Sequence, residues 1–167
     1  MRGRTGAEDA AQNIYAFNPQ TQSWRQIPGS LTQIAAGADG TVCGINAAQN
    51  IYCLNAPPIQ SWHQVPGSCT QIAVGSANAI WCINAQQQIY RYNPQTQGWN
   101  QIPGQLTQIG VAFDGTVWGI NSAQEIYTFD QQTQGWEQMA GLLSQIAVGS
   151  DGIVWGINSA QQIYRLH

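Results

Sequence analysis

Residues 151–161 read DGIVWGINSAQ, and residues 114–124 read DGTVWGINSAQ. Weaker copies stand at 39–49 (DGTVCGINAAQ) and 77–87 (ANAIWCINAQQ). Each copy reads as a turn, a short strand and a polar loop. Four copies of one unit have to be explained before any single residue is given a role, because residues that recur with a unit are normally there to build it.

The repeat is longer than this stretch. Trp24, Trp62, Trp99 and Trp136 recur at intervals of 38, 37 and 37 residues, inside the phrases SWRQIPGSLTQIA, SWHQVPGSCTQIA, GWNQIPGQLTQIG and GWEQMAGLLSQIA. A third phrase completes the period: NIYAFN, NIYCLN, QIYRYN, EIYTFD and QIYRLH, starting at Asn13, Asn50, Gln88, Glu125 and Gln162. Each period thus holds four short runs rich in β-branched and aromatic residues, divided by Gly, Asn, Asp and Pro, as strands require. Asp-Gly at positions 39, 114 and 151 predicts type I′ hairpin turns with two positive-φ residues. Asn78, in place of that Gly, is the next best left-handed residue. Pro28-Gly29, Pro66-Gly67 and Pro103-Gly104 are expected to close the Trp strand. No run has the length or the 3.6-residue period of a helix.

Four antiparallel strands repeating at about 37 residues describe the blade of a β-propeller. The phrases W-x-Q-I-P-G-x-L-x-Q-I, D-G-T-V-W-G-I-N and Q-I-Y-R-Y resemble the tectonin repeat of horseshoe-crab plasma, fish-egg and mushroom lectins, over nearly the whole chain. The resemblance implies a propeller, usually of six blades, and carbohydrate binding. The fold class is therefore all-β, a propeller of four-stranded antiparallel blades with four-plus repeats, partial or open. A flexible tail is expected over 1–12 and one propeller domain over 13–167. That domain comprises a partial blade at 13–28, blades near 30–66, 68–103 and 105–140, and an incomplete blade at 142–167. The strands number seventeen, one more than four blades need. A part of a longer ring, an open arc with unpaired edges and a four-bladed ring with a redundant strand all fit that number. Open blade edges also admit a homo-oligomer.

Composition narrows the function. Five Lys+Arg against eight Asp+Glu give a net charge of −3, and there is no lysine. A phosphate-backbone binder needs several cations on one face, and Arg2, Arg4, Arg25, Arg91 and Arg165 are scattered, so nucleic acid is not an expected partner. No apolar run approaches the length of a membrane span. Residues 1–12 contain no apolar signal core, which favours a cytoplasmic product or a mature or truncated form. Cys43, Cys53, Cys69 and Cys82 each stand where other copies have an unrelated residue. They read as small apolar replacements, free thiols being expected over disulfides, although Cys43 and Cys53 fall on neighbouring strands.

Catalysis has no visible basis. His63 and His167 have no partner at ligand spacing, and Asp39, Asp114 and Asp151 sit where a hairpin turn explains them. No cofactor or metal is expected. Sugar recognition needs a flat apolar surface beside groups that donate and accept hydrogen bonds. Trp81 with Asn84, Trp118 with Asn121 and Trp155 with Asn158 offer that pair in three copies, whereas Cys43 stands beside Asn46 in the first. These six residues are the expected ligand contacts, and the loops around Gly67 and Gly104 are the fallback. Trp24, Trp62, Trp99, Trp136 and the recurring Tyr15, Tyr52, Tyr90, Tyr127 and Tyr164 are expected to pack between blades. The Asn residues have a competing role as turn caps. The expected function is a non-catalytic lectin for neutral or methylated glycans in innate defence, on microbial or nematode surfaces. The alternative is a propeller scaffold for protein–protein interaction.

Overall fold

The structure, a computed structural model, describes residues 12–54 and 61–166; the expected tail at 1–12 lies outside them apart from Gln12. Seventeen strands form five antiparallel sheets in chain order, and no helix occurs among the described residues. The first sheet holds β1 (Asn13–Asn18) and β2 (Ser23–Ser30). Three four-stranded sheets follow. Their strands are β3 (Gln33–Ala36), β4 (Val42–Ile45), β5 (Asn50–Leu54) and β6 (Trp62–Ser68); then β7 (Gln71–Ser76), β8 (Ala79–Ile83), β9 (Gln88–Asn93) and β10 (Gly98–Gln105); then β11 (Gln108–Val111), β12 (Val117–Ile120), β13 (Glu125–Asp130) and β14 (Gly135–Leu142). The last sheet holds β15 (Gln145–Val148), β16 (Val154–Ile157) and β17 (Ile163–Leu166). This is the β-propeller arrangement of antiparallel blades that the repeat predicts.

The blades are joined along their inner strands, β3 to β7 to β11 to β15. A recurring glutamine makes the joint. The Gln33 side chain donates to Ile72 O and accepts from Ile72 N–H, at 3.3 and 3.1 Å. Gln71 accepts from Ile109 N–H at the next joint, and Gln108 joins the fourth sheet to the fifth, donating to Ser144 O and accepting from Ile146 N–H. Such an amide satisfies backbone groups that a sheet edge would leave open. Inter-strand packing of this kind does not join β15 back to β3. Accordingly Ile34 on β3 is 52% exposed, while its counterpart Ile72 is 2% exposed.

The apolar core lies between sheets, not within them. Cys43, Ile45, Ile51, Ile72 and Ile80 fill the space between the second and third sheets, and Trp81, Ile83, Ile89, Leu106, Val117 and Phe129 fill that between the third and fourth. Alternate residues of each strand face one neighbour or the other, which is why the strands read as nearly continuous apolar runs.

Three local expectations are corrected. The Asp-Gly turns are not type I′. Only Gly40, Gly115 and Gly152 have positive φ, and the aspartates do not. Asp39 Oδ1 instead accepts the Thr41 N–H at 2.9 Å, as Asp114 does for Thr116 and Asp151 for Ile153; a longer loop capped by a carboxylate replaces the two-residue turn. Asn78 is likewise not left-handed. The Pro-Gly pairs do not end their strands. β10 continues through them with a register shift between Ile102 and Gln105, a bulge on an outer strand, where proline is tolerated. Finally, the cysteines are not free. Cys43 bonds to Cys53, its direct partner across β4 and β5, and Cys69 bonds to Cys82. The sequence reading treated each as a lone replacement, whereas the fold places the four in two adjacent pairs.

Candidate functional site

The polar loop that ends each copy of the opening stretch is built by its asparagine. Asn84 Oδ1 accepts the N–H groups of Gln86 and Gln88 at 3.0 and 2.9 Å. Asn121 and Asn158 hold Ala123 with Glu125, and Ala160 with Gln162, in the same way. Two donors on one carbonyl oxygen fold the loop so tightly that the fourth residue, Gln87, Gln124 or Gln161, takes positive φ of 62° to 66°. Its carbonyl then accepts the N–H of the residue that begins the next blade: Gln87 O from Leu106, Gln124 O from Leu143. Each loop therefore stands at the seam between two blades.

The remaining amide of the asparagine turns sideways. Asn84 Nδ2 donates to Gln88 Oε1 at 2.8 Å, and Tyr90 OH donates to the same oxygen at 3.1 Å. The set repeats as Asn121, Glu125 and Tyr127 at 2.7 and 3.0 Å, and as Asn158, Gln162 and Tyr164 at 2.9 and 3.1 Å. In the first copy Asn50 holds the central place, and no such bonds form there. Opposite each set lies the bulge of the preceding blade. Gly67 and Gly104 have φ of 124° and 116°, and a Cβ on either would meet the next indole at 3.0 and 3.3 Å. That close approach lets Trp99 Nε1 donate to Pro66 O at 2.7 Å and Trp136 Nε1 to Pro103 O at 3.0 Å.

Between bulge and loop a cavity opens at three of the seams. One of about 440 Å³ is lined by Gly104, Leu106, Asn121, Tyr127 and Trp136. Its counterpart of about 250 Å³ has Gly67, Cys69, Asn84, Tyr90 and Trp99, and a third of about 450 Å³ has Gly141, Leu143, Asn158 and Tyr164. Their surfaces combine aliphatic carbons with amide and phenol groups, and the first two add an indole edge. Charged groups stand at two of them: Arg165 lines the third, and Glu125 lies beside the first, bonded to Asn121 and Tyr127. Glu125 is held below the usual carboxylate range, first by the Asn121 amide and then by the Tyr127 hydroxyl, and Tyr127 is pushed up by the same bond.

Of the six expected contacts, the three asparagines line these cavities and the three indoles do not. Trp81 is 1% exposed; its ring is enclosed by Phe129 and Trp136 at 5.0 and 6.2 Å, with the Arg91 guanidinium over it at 5.8 Å. Trp118 is half-buried against the fourth seam. Trp155 is 48% exposed beneath Arg165 at 5.9 Å. Each indole is three residues from its asparagine, and on a strand that spacing directs the two side chains to opposite faces. The asparagines are also more fully engaged as caps than a free sugar contact would be, with one N–H left over on Asn84 and Asn121 and both used on Asn158. Sequence reasoning set aside Tyr90, Tyr127, Trp99 and Trp136 as packing because every copy has them. The signal that would have marked them is the Gln or Glu four residues after the Asn and two before the Tyr.

The tectonin domain family matches residues 3–134 and, in an overlapping second match, residues 91–167. No curated protein matches the chain. Among solved structures, the extracellular domain of a one-component system protein from B. thetaiotaomicron superposes with a TM-score of 0.62 at 11% identity, over 93% of this chain and 25% of that one. YCF48 bound to a D1 peptide gives 0.59 at 19% identity over 86% of this chain and 54% of its own, and the tricorn protease 0.52 at 12% over 92% and 20%. The chain thus spans a quarter or less of the first and last of these and about half of YCF48. At such identities the likeness shows the propeller fold alone.

Proposed function

The chain belongs to the tectonin family, a family associated with lectin activity, and from that footing we propose that it is a non-catalytic lectin that binds neutral or methylated glycans in its seam cavities. The observation that carries this reading is repetition of the cavity itself: glycine bulge, capped asparagine loop and tyrosine recur at three successive seams, joined by an indole at two of them. A sugar ring presents C–H faces and hydroxyls together. Leu106 and the Trp136 edge meet the first, or a methyl group, while Tyr127 and the spare Asn121 N–H meet the second. Each contact contributes modestly, so a single cavity binds weakly and clustered glycans on a microbial or nematode surface are held by several cavities at once.

The test is a glycan array read with the protein and with a variant carrying Ser68→Trp, Gln105→Trp and Leu142→Trp. These positions border the three cavities and are exposed on an outer strand, so a large side chain there blocks the cavity without entering the core. Glycan binding should disappear in the folded variant. Retention at full strength would move the site elsewhere. Absence of any glycan signal from the unaltered protein, with a protein partner recovered in its place, would favour the scaffold reading.

A further inference from the structure

The seam between the third and fourth sheets has a second opening, at the end opposite the cavity just described. It is a groove of about 510 Å³, bordered by the β7–β8, β9–β10 and β13–β14 hairpins, and lined by Asn78, Arg91, Tyr92, Asn93, Asn100 and Gln134 among others. Unlike the glycan cavity at the same seam, it is lined by a cation, Arg91, beside several amides and a phenol, and no carboxylate lines it.

Arg91 is held in place. Its guanidinium lies over the buried Trp81 ring at 5.8 Å, and Trp81 is itself fixed between Phe129 and Trp136. A guanidinium over an aromatic face is attracted by the ring quadrupole, which favours this placement beside the opening. Arg91 forms no ion pair or hydrogen bond with another described residue. Nor do the side chains of Asn78 and Asn100, although all three line the groove. Asn93 differs, since its Oδ1 already caps Gln95 and Thr96. Three polar groups with unspent hydrogen-bonding capacity converge on one opening, and one of them carries a fixed positive charge.

We propose that this groove is a second binding site, which takes the carboxylate of a sugar acid on the fork of Arg91 and the sugar hydroxyls on Asn78 and Asn100. A single planar cation matches one carboxylate in a two-bond contact. It neutralises a phosphate poorly, and a lone arginine offers no track for nucleic acid. The site belongs to one seam. At the position of Arg91 the other copies carry Ala16, the disulfide-bonded Cys53, Thr128 and Arg165. Arg165 lies over Trp155 in the same way, but among the described residues no outer strand pairs with its sheet to supply the place of Asn100. The proposal goes beyond the lectin reading, because it concerns the other end of the seam and a charged ligand.

The experiment is a ¹H–¹⁵N titration of the whole chain with galacturonate, galactose and inorganic sulfate in turn. The Trp81 indole and Arg91 Nε–H signals are the local readout. Galacturonate should shift both, with an affinity that falls as salt is added, while galactose leaves them in place. Arg91→Gln should weaken galacturonate by about tenfold or more, the loss of a charged two-bond contact. Arg91→Lys, which keeps charge and stem, should retain part of the binding and guards against a folding defect in the first variant. Three results would each overturn the proposal: equal shifts with galactose, sulfate binding as tightly as galacturonate, or galacturonate binding undiminished in both variants. The glycan-array signal at the seam cavities serves as an independent control, since Arg91 does not line them.

Discussion

The seam between the third and fourth sheets and the seam between the first and second share one plan. In both, a Pro-Gly bulge faces the tryptophan of the next blade, and an asparagine caps the loop beside it. At the former, Trp136 donates to Pro103 O, and its ring meets Phe129 and Trp81 at 5.1 and 6.2 Å. At the latter, Trp62 Nε1 is buried with no partner. Trp24, with no blade before it among the described residues, packs on Phe17 and remains 67% exposed. Asn50 replaces the Gln or Glu that joins Asn to Tyr elsewhere. The blade backbone evidently tolerates an unfinished seam. What the finished one adds is aromatic contact, a satisfied indole and an organised polar set, and the polar set is what a ligand needs.

The largest way to break the contrast is Trp81→Ala. Emptying a fully buried indole site in the finished seam should cost about 3–5 kcal/mol in chemical denaturation, whereas Trp24→Ala, already exposed, should cost well under half as much. A smaller effect separates the earlier blades from the later ones. Replacing Cys43 and Cys53 together by alanine should remove about 2–3 kcal/mol, the scale for a loop of 10 residues, with loss of hydrogen-exchange protection in β4 and β5 and little change in β12 and β13; mild reductant, which opens the Cys69–Cys82 bond as well, should lower stability further. Next comes Gly104→Ala, which meets both a positive φ and the Trp136 edge and should cost about 2 kcal/mol. Its control, Gly40→Ala, has open space around the new methyl and should cost about 1 kcal/mol.

The smallest effect sharpens the contrast electrostatically. Glu125 has a folded pKa below its ordinary 4.5. Its bonds therefore favour the folded state above the unfolded pKa, and that contribution is lost as pH falls through the folded value. A carbon-detected titration should find its midpoint below 4.5, and Tyr127→Phe should move the midpoint upward. An unchanged midpoint would mean that the hydroxyl does not hold the carboxylate in solution.

Much of this was legible in the chain itself. The period of the Trp phrases and the composition of each run determined the four-stranded blade, because strand propensity and turn residues act locally and every copy carries them. The capping role of Asn84, Asn121 and Asn158 also followed from local chemistry, since an Asn side chain reaches the backbone two and four residues on. Tertiary structure alone decided the rest. Which face of a strand meets the next blade joined Cys69 to Cys82, buried Trp81 under Arg91, and brought Gly104 to Trp136 across 32 positions of sequence. These are distances between blades. A repeat states what each blade is made of, while the rotation from one blade to its neighbour determines which side chains share a seam.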